Sequence, residues 1–270
     1  MDLTDPVLPP EAVMARGDAL ILLDTRPEAA FLAGRADGAR HLPIEAWDRA
    51  IKSGQAPLDD AAHWGGVLGG LGLDGGKPVV VLDDGRMTEA ARAWFLLQHF
   101  GLAAAVLDGG WPALEPLLEA PVSGPAAAPA AVACVARPGT GRVALMERAP
   151  LRDALASQAR PQVFDTRSPA EHRGEDLKNN RRGGRLPGAA NLPHTALLAQ
   201  GNRLMPAEAL RARMEEVGLS LSRTVVTHCD GGGRAALAAL AAVRAGHPDV
   251  AAYYMSFADW AADEACPIER

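Results

Sequence analysis

One cysteine in this chain is followed directly by a glycine-rich loop. The apolar run Thr224 to His228 ends at Cys229, and Asp230-Gly231-Gly232-Gly233 then leads to Arg234 and an alanine-rich helical pattern. Three consecutive glycines cost conformational entropy and add no packing, so we interpret them as a means of turning several backbone N–H groups toward one centre. A cysteine offered to solvent there, at the start of a helix, should be a nucleophilic thiolate near neutral pH.

Arg234 closes the loop and could recognise an anion. Its guanidinium supplies a fixed positive charge and two parallel N–H donors, which suit an oxyanion. We expect Arg234 to be an exposed residue at the edge of the loop, so that Arg234→Ala weakens binding of the anion more than it affects folding. Asp230 also belongs to the loop, but the sequence does not indicate what its carboxylate does there. Cys134 and Cys266 are predicted to be small, inert core residues.

The elements that must position this loop follow from the length and composition of the chain. Its 270 residues are enough for two domains of ordinary size, and 48% of them are hydrophobic. The formal net charge is −6, with no basic run, which argues against binding to nucleic acid or a membrane surface. Three widely spaced cysteines indicate neither a disulfide framework nor a zinc site. We expect a cytoplasmic protein with no secretory signal and no transmembrane segment.

An internal repeat divides the chain. Asp24-Thr25-Arg26 recurs as Asp165-Thr166-Arg167, and the segment 39–43 recurs as 189–193, in the same order. The apolar run 78–85 stands where 224–231 stands in the second copy, which also carries extra residues around 175–184. We therefore predict two homologous domains, 1–120 and 139–270, joined by a Pro/Ala-rich linker at 121–138.

Each copy alternates short apolar runs with helical patterns, which predicts an α/β fold with a mostly parallel sheet and helices on both faces. In the second copy we predict strands at 163–164, 189–192, 225–227 and 250–254, and helices at 151–158, 206–217 and 235–243. Ligands of such sheets bind beyond the carboxyl ends of the strands, where Cys229 lies.

Together these features resemble the tandem-domain rhodaneses, a family of sulfurtransferases. The resemblance rests on the paired Asp-Thr-Arg motifs, on the segment 185–193 and on the cysteine loop, and it covers essentially the whole chain. It implies two rhodanese-like domains, with the nucleophile in the second. The first would be catalytically silent, and would be structural or help to shape the cleft. Asp83 or Asp84 matches Cys229 there, depending on where a gap is placed, and an aspartate cannot accept a sulfane sulfur.

The resemblance also implies a mechanism. The Cys229 thiolate attacks the outer sulfur of a donor such as thiosulfate, and a thiophilic acceptor, cyanide or a thiol, later removes that sulfur from the persulfide. No metal or organic cofactor is required, the partners are small molecules, and a monomer is the default. The residues assigned to substrate binding are Asp230, Gly231, Gly232, Gly233, Arg234 and Arg167.

Basic residues of the 175–184 insert, namely Lys178, Arg181 and Arg182, are further candidates for holding the donor. A solvated charge run is the simpler explanation for that insert. Arg167 also has a simpler explanation, a structural ion pair, because Arg26 repeats it in the silent copy.

Three alternatives stay open. Cysteine-dependent phosphatases of a related type place five residues between cysteine and arginine, whereas this loop places four, which disfavours a phosphoryl group. Relatives that use 3-mercaptopyruvate carry a different loop, and many members of both groups have a substrate-binding arginine where this chain reads Ala170-Glu171-His172. A carboxylate there favours thiosulfate over an α-keto acid. The third alternative is a non-catalytic persulfide carrier or binding module.

Overall fold

Short buried strands alternate with helices along the whole described part of the chain, residues 3–270 of a computed structural model. The chain divides into two units. One extends to Arg142 and includes Gln200–Arg203, and the other comprises Val143–Ala199 and Leu204–Arg270. Each unit has its own sheet and its own hydrophobic core.

The two units repeat the same order of elements. The strands of the first are β1 (Val7–Leu8), β2 (Ile21–Asp24), β3 (Arg40–His41), β4 (Val79–Leu82) and β5 (Ala104–Leu107). Its helices are α1 (Pro10–Met14), α2 (Glu28–Ala33), α3 (Ile44–Lys52), α4 (Ala61–Gly70), α5 (Thr88–His99) and α6 (Gly110–Leu114). The strands of the second are β6 (Val143–Leu145), β7 (Gln162–Asp165), β8 (Ala189–Asn191), β9 (Val225–His228) and β10 (Val250–Ala252). Its helices are α7 (Arg148–Leu155), α8 (Pro169–Arg173), α9 (Ala207–Glu216), α10 (Gly233–Arg244) and α11 (Ser256–Ala262).

Within residues 3–270, each unit contains a five-stranded sheet flanked by helices. The strand orders are β1-β5-β4-β2-β3 and β6-β10-β9-β7-β8, which are the same topology, and the strands pair in parallel. The predicted α/β class with two parallel sheets is confirmed. Predicted elements of the second copy exist with ends shifted by a few residues; for example, the helix predicted at 151–158 is α7, Arg148–Leu155.

The register of the sheets sets where the candidate site lies. In the second unit Asp165, the last residue of β7, pairs with His228, the last residue of β9, so Cys229 follows at the carboxyl edge of the sheet. In the first unit Asp24 pairs with Leu82 in the same way, and Asp83 follows. Both β4 and β9 are completely buried, as expected for central strands of a parallel sheet covered on both faces.

The helix that follows Cys229 is built for close packing. Alanine is the strongest helix former and the smallest side chain with a Cβ, so the run in α10 can approach the sheet closely. Ten of its twelve residues are buried. A rigid helix therefore begins at Gly233 and fixes the end of the cysteine loop.

The predicted linker does not extend away from the first unit. Val122 exchanges two backbone hydrogen bonds with Arg35, and the Val132 N–H donates to the Gly69 carbonyl. Gly69 allows this approach, because a Cβ there would lie 2.3 Å from the Val132 oxygen. The segment 121–138 thus groups with the first unit. No helix in the described range is both long and apolar enough to cross a bilayer.

Candidate active site

Cys229 lies immediately beyond β9, but its side chain is not offered to solvent as we expected. The residue is 1% exposed. Its backbone carbonyl accepts a hydrogen bond from Phe257 at the start of α11, and its N–H donates to the Ser256 hydroxyl at 3.1 Å. The expectation of an exposed sulfur is therefore wrong, since α11 packs against the loop and covers it.

The loop turns the backbone N–H of Gly232 toward the sulfur, where the glycines predicted several such groups. The Gly232 N–H donates to Cys229 Sγ, with 3.0 Å between nitrogen and sulfur. Gly232 has φ +100°, a conformation that a residue with a Cβ rarely adopts, so a glycine is required there. Because α10 begins at the next residue, the positive end of its dipole also faces this region. The arrangement suits a sulfur that carries negative charge.

Ser256 contacts the cysteine through its hydroxyl group. It is completely buried and holds φ +60°, which is strained for a residue with a side chain. Its hydroxyl oxygen lies 2.8 Å from the Tyr253 carbonyl and 3.8 Å from Cys229 Sγ. The Ser256 hydroxyl proton can therefore point to the Tyr253 carbonyl or to Cys229 Sγ. The hydroxyl is thus a second hydrogen-bond donor near the sulfur.

Arg234 is engaged by an acidic residue. Its two terminal nitrogens donate to the two oxygens of Glu171, each at 2.8 Å. Glu171 is 3% exposed, whereas the Arg234 side chain is 22% exposed. The two parallel N–H groups of Arg234, which we expected to bind the anionic sulfur substrate, are thus hydrogen-bonded to Glu171. Arg234 lies at the edge of the loop as expected, but its side chain is half-buried rather than exposed.

Both partners of this pair are charged at neutral pH. Burial alone would raise the pKa of Glu171, but hydrogen bonds from Arg234 and Ser168 lower it to about 2. Burial acts in the opposite direction on Arg234, and the hydrogen bonds to Glu171 nevertheless raise its pKa above the usual value. The charge of the loop arginine is therefore balanced within the protein.

The 175–184 insert contacts the loop through an amide. Asn180 Nδ2 donates to Asp230 Oδ1 at 2.7 Å, and the Asp230 carbonyl accepts the Ala258 N–H. This gives Asp230, which the sequence left without a role, a structural connection between the insert, the loop and α11. The predicted contribution of Gly231 to substrate binding stays a prediction.

The basic residues of the insert have different surroundings. Arg182 donates to the carbonyls of Trp260, Ala261, Asp263 and Cys266, and so closes the end of α11. Lys178 pairs with Asp176 at 2.7 Å, and Arg181 is exposed. The structure therefore explains Arg182 as a helix-end residue, neither a solvated charge nor a donor ligand.

Arg167 lies in a buried ion pair. It is 2% exposed, binds both oxygens of Asp165, donates to the Gly184 carbonyl and covers the ring of Phe257. Arg26 and Asp24 form the same pair in the first unit. The geometry favours the structural ion pair over the assignment of Arg167 to substrate binding.

Two histidines also approach Asp165. His172 Nδ1 lies 2.8 Å and His228 Nε2 3.7 Å from its Oδ2 atom. Complete burial lowers the pKa of His228 to about 4, so this histidine is neutral near pH 7. Burial alone would raise the pKa of Asp165, but the neighbouring His228, the hydrogen bond from His172 and the paired Arg167 keep that pKa well below its usual value.

In the first unit Asp83, and not Asp84, stands at the position of Cys229. Asp83 directly follows β4, as Cys229 follows β9, and Trp111 N–H bonds to its carbonyl as Phe257 does in the second unit. The side chain of Asp83 accepts four backbone N–H bonds, from Gly85, Met87, Glu89 and Ala90, at 2.9 to 3.2 Å. The loop of the first unit therefore directs its N–H groups toward an acceptor, and the Asp83 carboxylate fills that place.

Sequence reasoning missed three features of the site. Ser168-Pro169-Ala170-Glu171 is a capping-box signature, and both reciprocal bonds of that box are present, so it could have located Glu171. Ser256 corresponds to Gly110 of the first unit, which also has φ +60°, but a serine gives no local sign of that conformation. His194 was not singled out. Burial and the Arg234 charge lower its pKa, and its buried Nδ1 has no hydrogen-bond partner within residues 3–270.

Comparison with known proteins agrees with this geometry. The family model for the rhodanese-like domain matches residues 11–115 and 149–263. A thiosulfate sulfurtransferase of Azotobacter vinelandii is 30% identical over 97% of this chain and 96% of its own length. The human 3-mercaptopyruvate sulfurtransferase is 30% identical, over 90% of this chain and 86% of its own. The crystal structure of SseA from Escherichia coli superposes with a TM-score of 0.79 at 22% identity and covers 93% of this chain and 98% of its own.

The fold and the family model define a protein with two rhodanese-like domains. The chain belongs to the rhodanese family of sulfurtransferases. The resemblance recognised from the sequence is thereby confirmed.

Proposed function

We propose that this protein is a thiosulfate sulfurtransferase whose nucleophile is Cys229. The observation that carries the proposal is the 3.0 Å contact between the Gly232 N–H and Cys229 Sγ, at the start of α10. Hydrogen bonds and a helix N-terminus stabilise a thiolate and, after transfer, a persulfide anion. In this proposal domain 139–270 is catalytic and domain 1–120 is silent.

In the first step the Cys229 thiolate attacks the outer sulfur of thiosulfate. A Cys229–sulfur bond forms, the S–S bond of thiosulfate breaks, and its electron pair leaves with sulfite. In the second step cyanide or a thiolate attacks the outer sulfur of the persulfide. The S–S bond of the persulfide then breaks, and the pair returns to Cys229 as a thiolate. Both steps are balanced without a metal or an added oxidant.

Two features support thiosulfate as the donor. Thiosulfate is the donor named for the Azotobacter relative. The acidic Glu171 also stands at the position where an α-keto acid would need a cation. The human relative is named for 3-mercaptopyruvate, which keeps that donor as the second candidate. A cytoplasmic location, a monomeric state and small-molecule partners stay predictions.

Mass spectrometry of the intact protein tests the proposal. After incubation with thiosulfate, wild type should gain the mass of one sulfur, and cyanide should remove it. Cys229→Ala should gain nothing, whereas Cys266→Ala, which also replaces a buried cysteine, should still load sulfur if it folds. Loading of Cys229→Ala, or no adduct on folded wild type with either donor, would show that Cys229 is not the sulfur carrier. The absence of any adduct would leave a binding module as the better interpretation.

A further inference from the structure

Glu171 is held rigidly beside the nucleophile loop. It is the third residue of α8, and its carboxylate accepts the Ser168 N–H at 3.0 Å while Ser168 Oγ accepts the Glu171 N–H at 3.2 Å. Because both ends of this capping box are formed, the carboxylate has little rotamer freedom. Its two oxygens face Arg234, and the resulting fork-to-fork geometry is the strongest form of this interaction.

The same geometry is the one that a substrate carboxylate would use. A guanidinium binds a planar carboxylate through two parallel N–H bonds, and Glu171 already occupies the Nη1/Nη2 end of Arg234 and balances its charge. Displacing Glu171 would leave a carboxylate that is 3% exposed without its partner, which is costly. A donor carboxylate therefore has to compete with an internal one that is already in place.

We infer that Glu171 is a specificity-determining residue, which disfavours carboxylate-bearing sulfur donors by occupying the Nη1/Nη2 end of Arg234 and balancing its charge. This inference rests on the proposed function and extends it to the class of donor. The favoured sulfur donors are those without a carboxylate group. In thiosulfate the charged oxygens lie one bond from the inner sulfur, within reach of loop N–H groups. In 3-mercaptopyruvate three carbons separate the sulfur from the carboxylate oxygens.

Glu171→Gln tests the inference, with thiosulfate and 3-mercaptopyruvate as alternative donors and cyanide as acceptor. The amide keeps an oxygen that can accept the Ser168 N–H, and it removes the negative charge that faces Arg234. We expect KM for 3-mercaptopyruvate to fall about tenfold or more, since a charged hydrogen bond becomes available. The thiosulfate values should change much less, so the ratio of the two kcat/KM values shifts toward 3-mercaptopyruvate.

Two variants control for charge and for mechanism. Glu175→Gln removes the same charge from the same region but touches exposed Arg173 instead of Arg234, so the ratio should stay at the wild-type value. Glu171→Gln combined with Arg234→Ala should lose the gain. Glu171→Ala, which also frees Arg234, should reproduce the gain if the amide variant folds poorly.

A measurement on wild type needs no variant. Pyruvate, the carboxylate product of 3-mercaptopyruvate, should fail to compete with thiosulfate, because Arg234 is occupied. Competition by pyruvate, or an unchanged donor ratio in folded Glu171→Gln, overturns the inference while leaving the sulfurtransferase proposal intact. If wild type accepts sulfur from neither donor, the proposed function fails and this inference fails with it.

Discussion

At the residue scale, the side chains of the site differ in their hydrogen-bond and ion-pair partners. Cys229 is contacted by a loop N–H and lies near a serine hydroxyl, whereas Arg234 and Arg167 are bound to internal carboxylates. A charged residue near a nucleophile therefore need not bind substrate. In this site the backbone supplies the contact to sulfur, and the arginines position the elements around it.

The Glu171–Arg234 pair predicts a pH dependence of stability. A pKa lowered from its usual 4.5 to about 2 corresponds to roughly 3 kcal/mol of stabilisation at neutral pH. Because the folded-state pKa is the lower one, this contribution is complete above pH 4.5 and is lost as pH falls toward 2. We expect the difference in unfolding free energy between wild type and Glu171→Gln to be largest near pH 7 and to shrink below pH 4.5.

Denaturant unfolding at several pH values measures that difference, with Glu175→Gln as the control. The exposed Glu175–Arg173 pair should contribute little at any pH. A difference between wild type and Glu171→Gln that stays constant from pH 7 to pH 3 would contradict the prediction.

At the element scale, the two loops after β4 and β9 perform the same structural task with different acceptors. Each directs backbone N–H toward the first residue after the strand, four groups toward Asp83 in one unit and the Gly232 N–H toward Cys229 in the other. The loops need not have the same length for this, since α5 begins at Thr88 and α10 at Gly233.

Asp83→Ala should destabilise the first unit. The substitution leaves four N–H groups without their acceptor in a buried loop, and we expect a loss of about 1–3 kcal/mol. Asp84→Ala is the matched control, because its carboxylate is exposed and pairs with an exposed arginine. Hydrogen exchange of the β4 and β5 amides measures the change in this unit. Equal protection in the two variants would mean that the carboxylate does not hold the loop.

The elements themselves were largely predictable from the sequence, and the contacts of the site were not. The apolar run before Cys229 and the alanine run after it predicted β9 and α10, because period and propensity are local properties. The glycines predicted an N–H-lined loop for the same reason. The partner of Arg234 lies 63 positions earlier in the chain, and nothing local links the two residues. Burial of Cys229 under α11 likewise depends on tertiary packing.

At the scale of the whole molecule, each unit has a core of its own. Phe31, Val80 and Leu82 belong to the core of the first, and Val163, Val226 and Trp260 to that of the second. Aliphatic side chains make up most of both cores, in keeping with an aromatic content of 4%.

Separate cores predict separate responses to a cavity. Phe164, the middle of β7, is completely buried. Phe164→Ala should cost about 3–5 kcal/mol, and the loss should be confined to protection of the amides of β7, β9 and β10. Phe95→Ala, at an equally buried position of α5, is the counterpart for the first unit. An equal loss of protection in both sheets after either change would show that the two cores unfold as one.

The carboxylate of Asp83 also bears on how a duplicated domain can lose its chemistry. The loop requires of its first residue only a hydrogen-bond acceptor that faces the N–H groups. Nucleophilic reactivity is a separate property, which the cysteine sulfur adds. A copy could thus exchange its nucleophile for an aspartate and keep its shape. Such an exchange would require only that an acceptor remained at that one position.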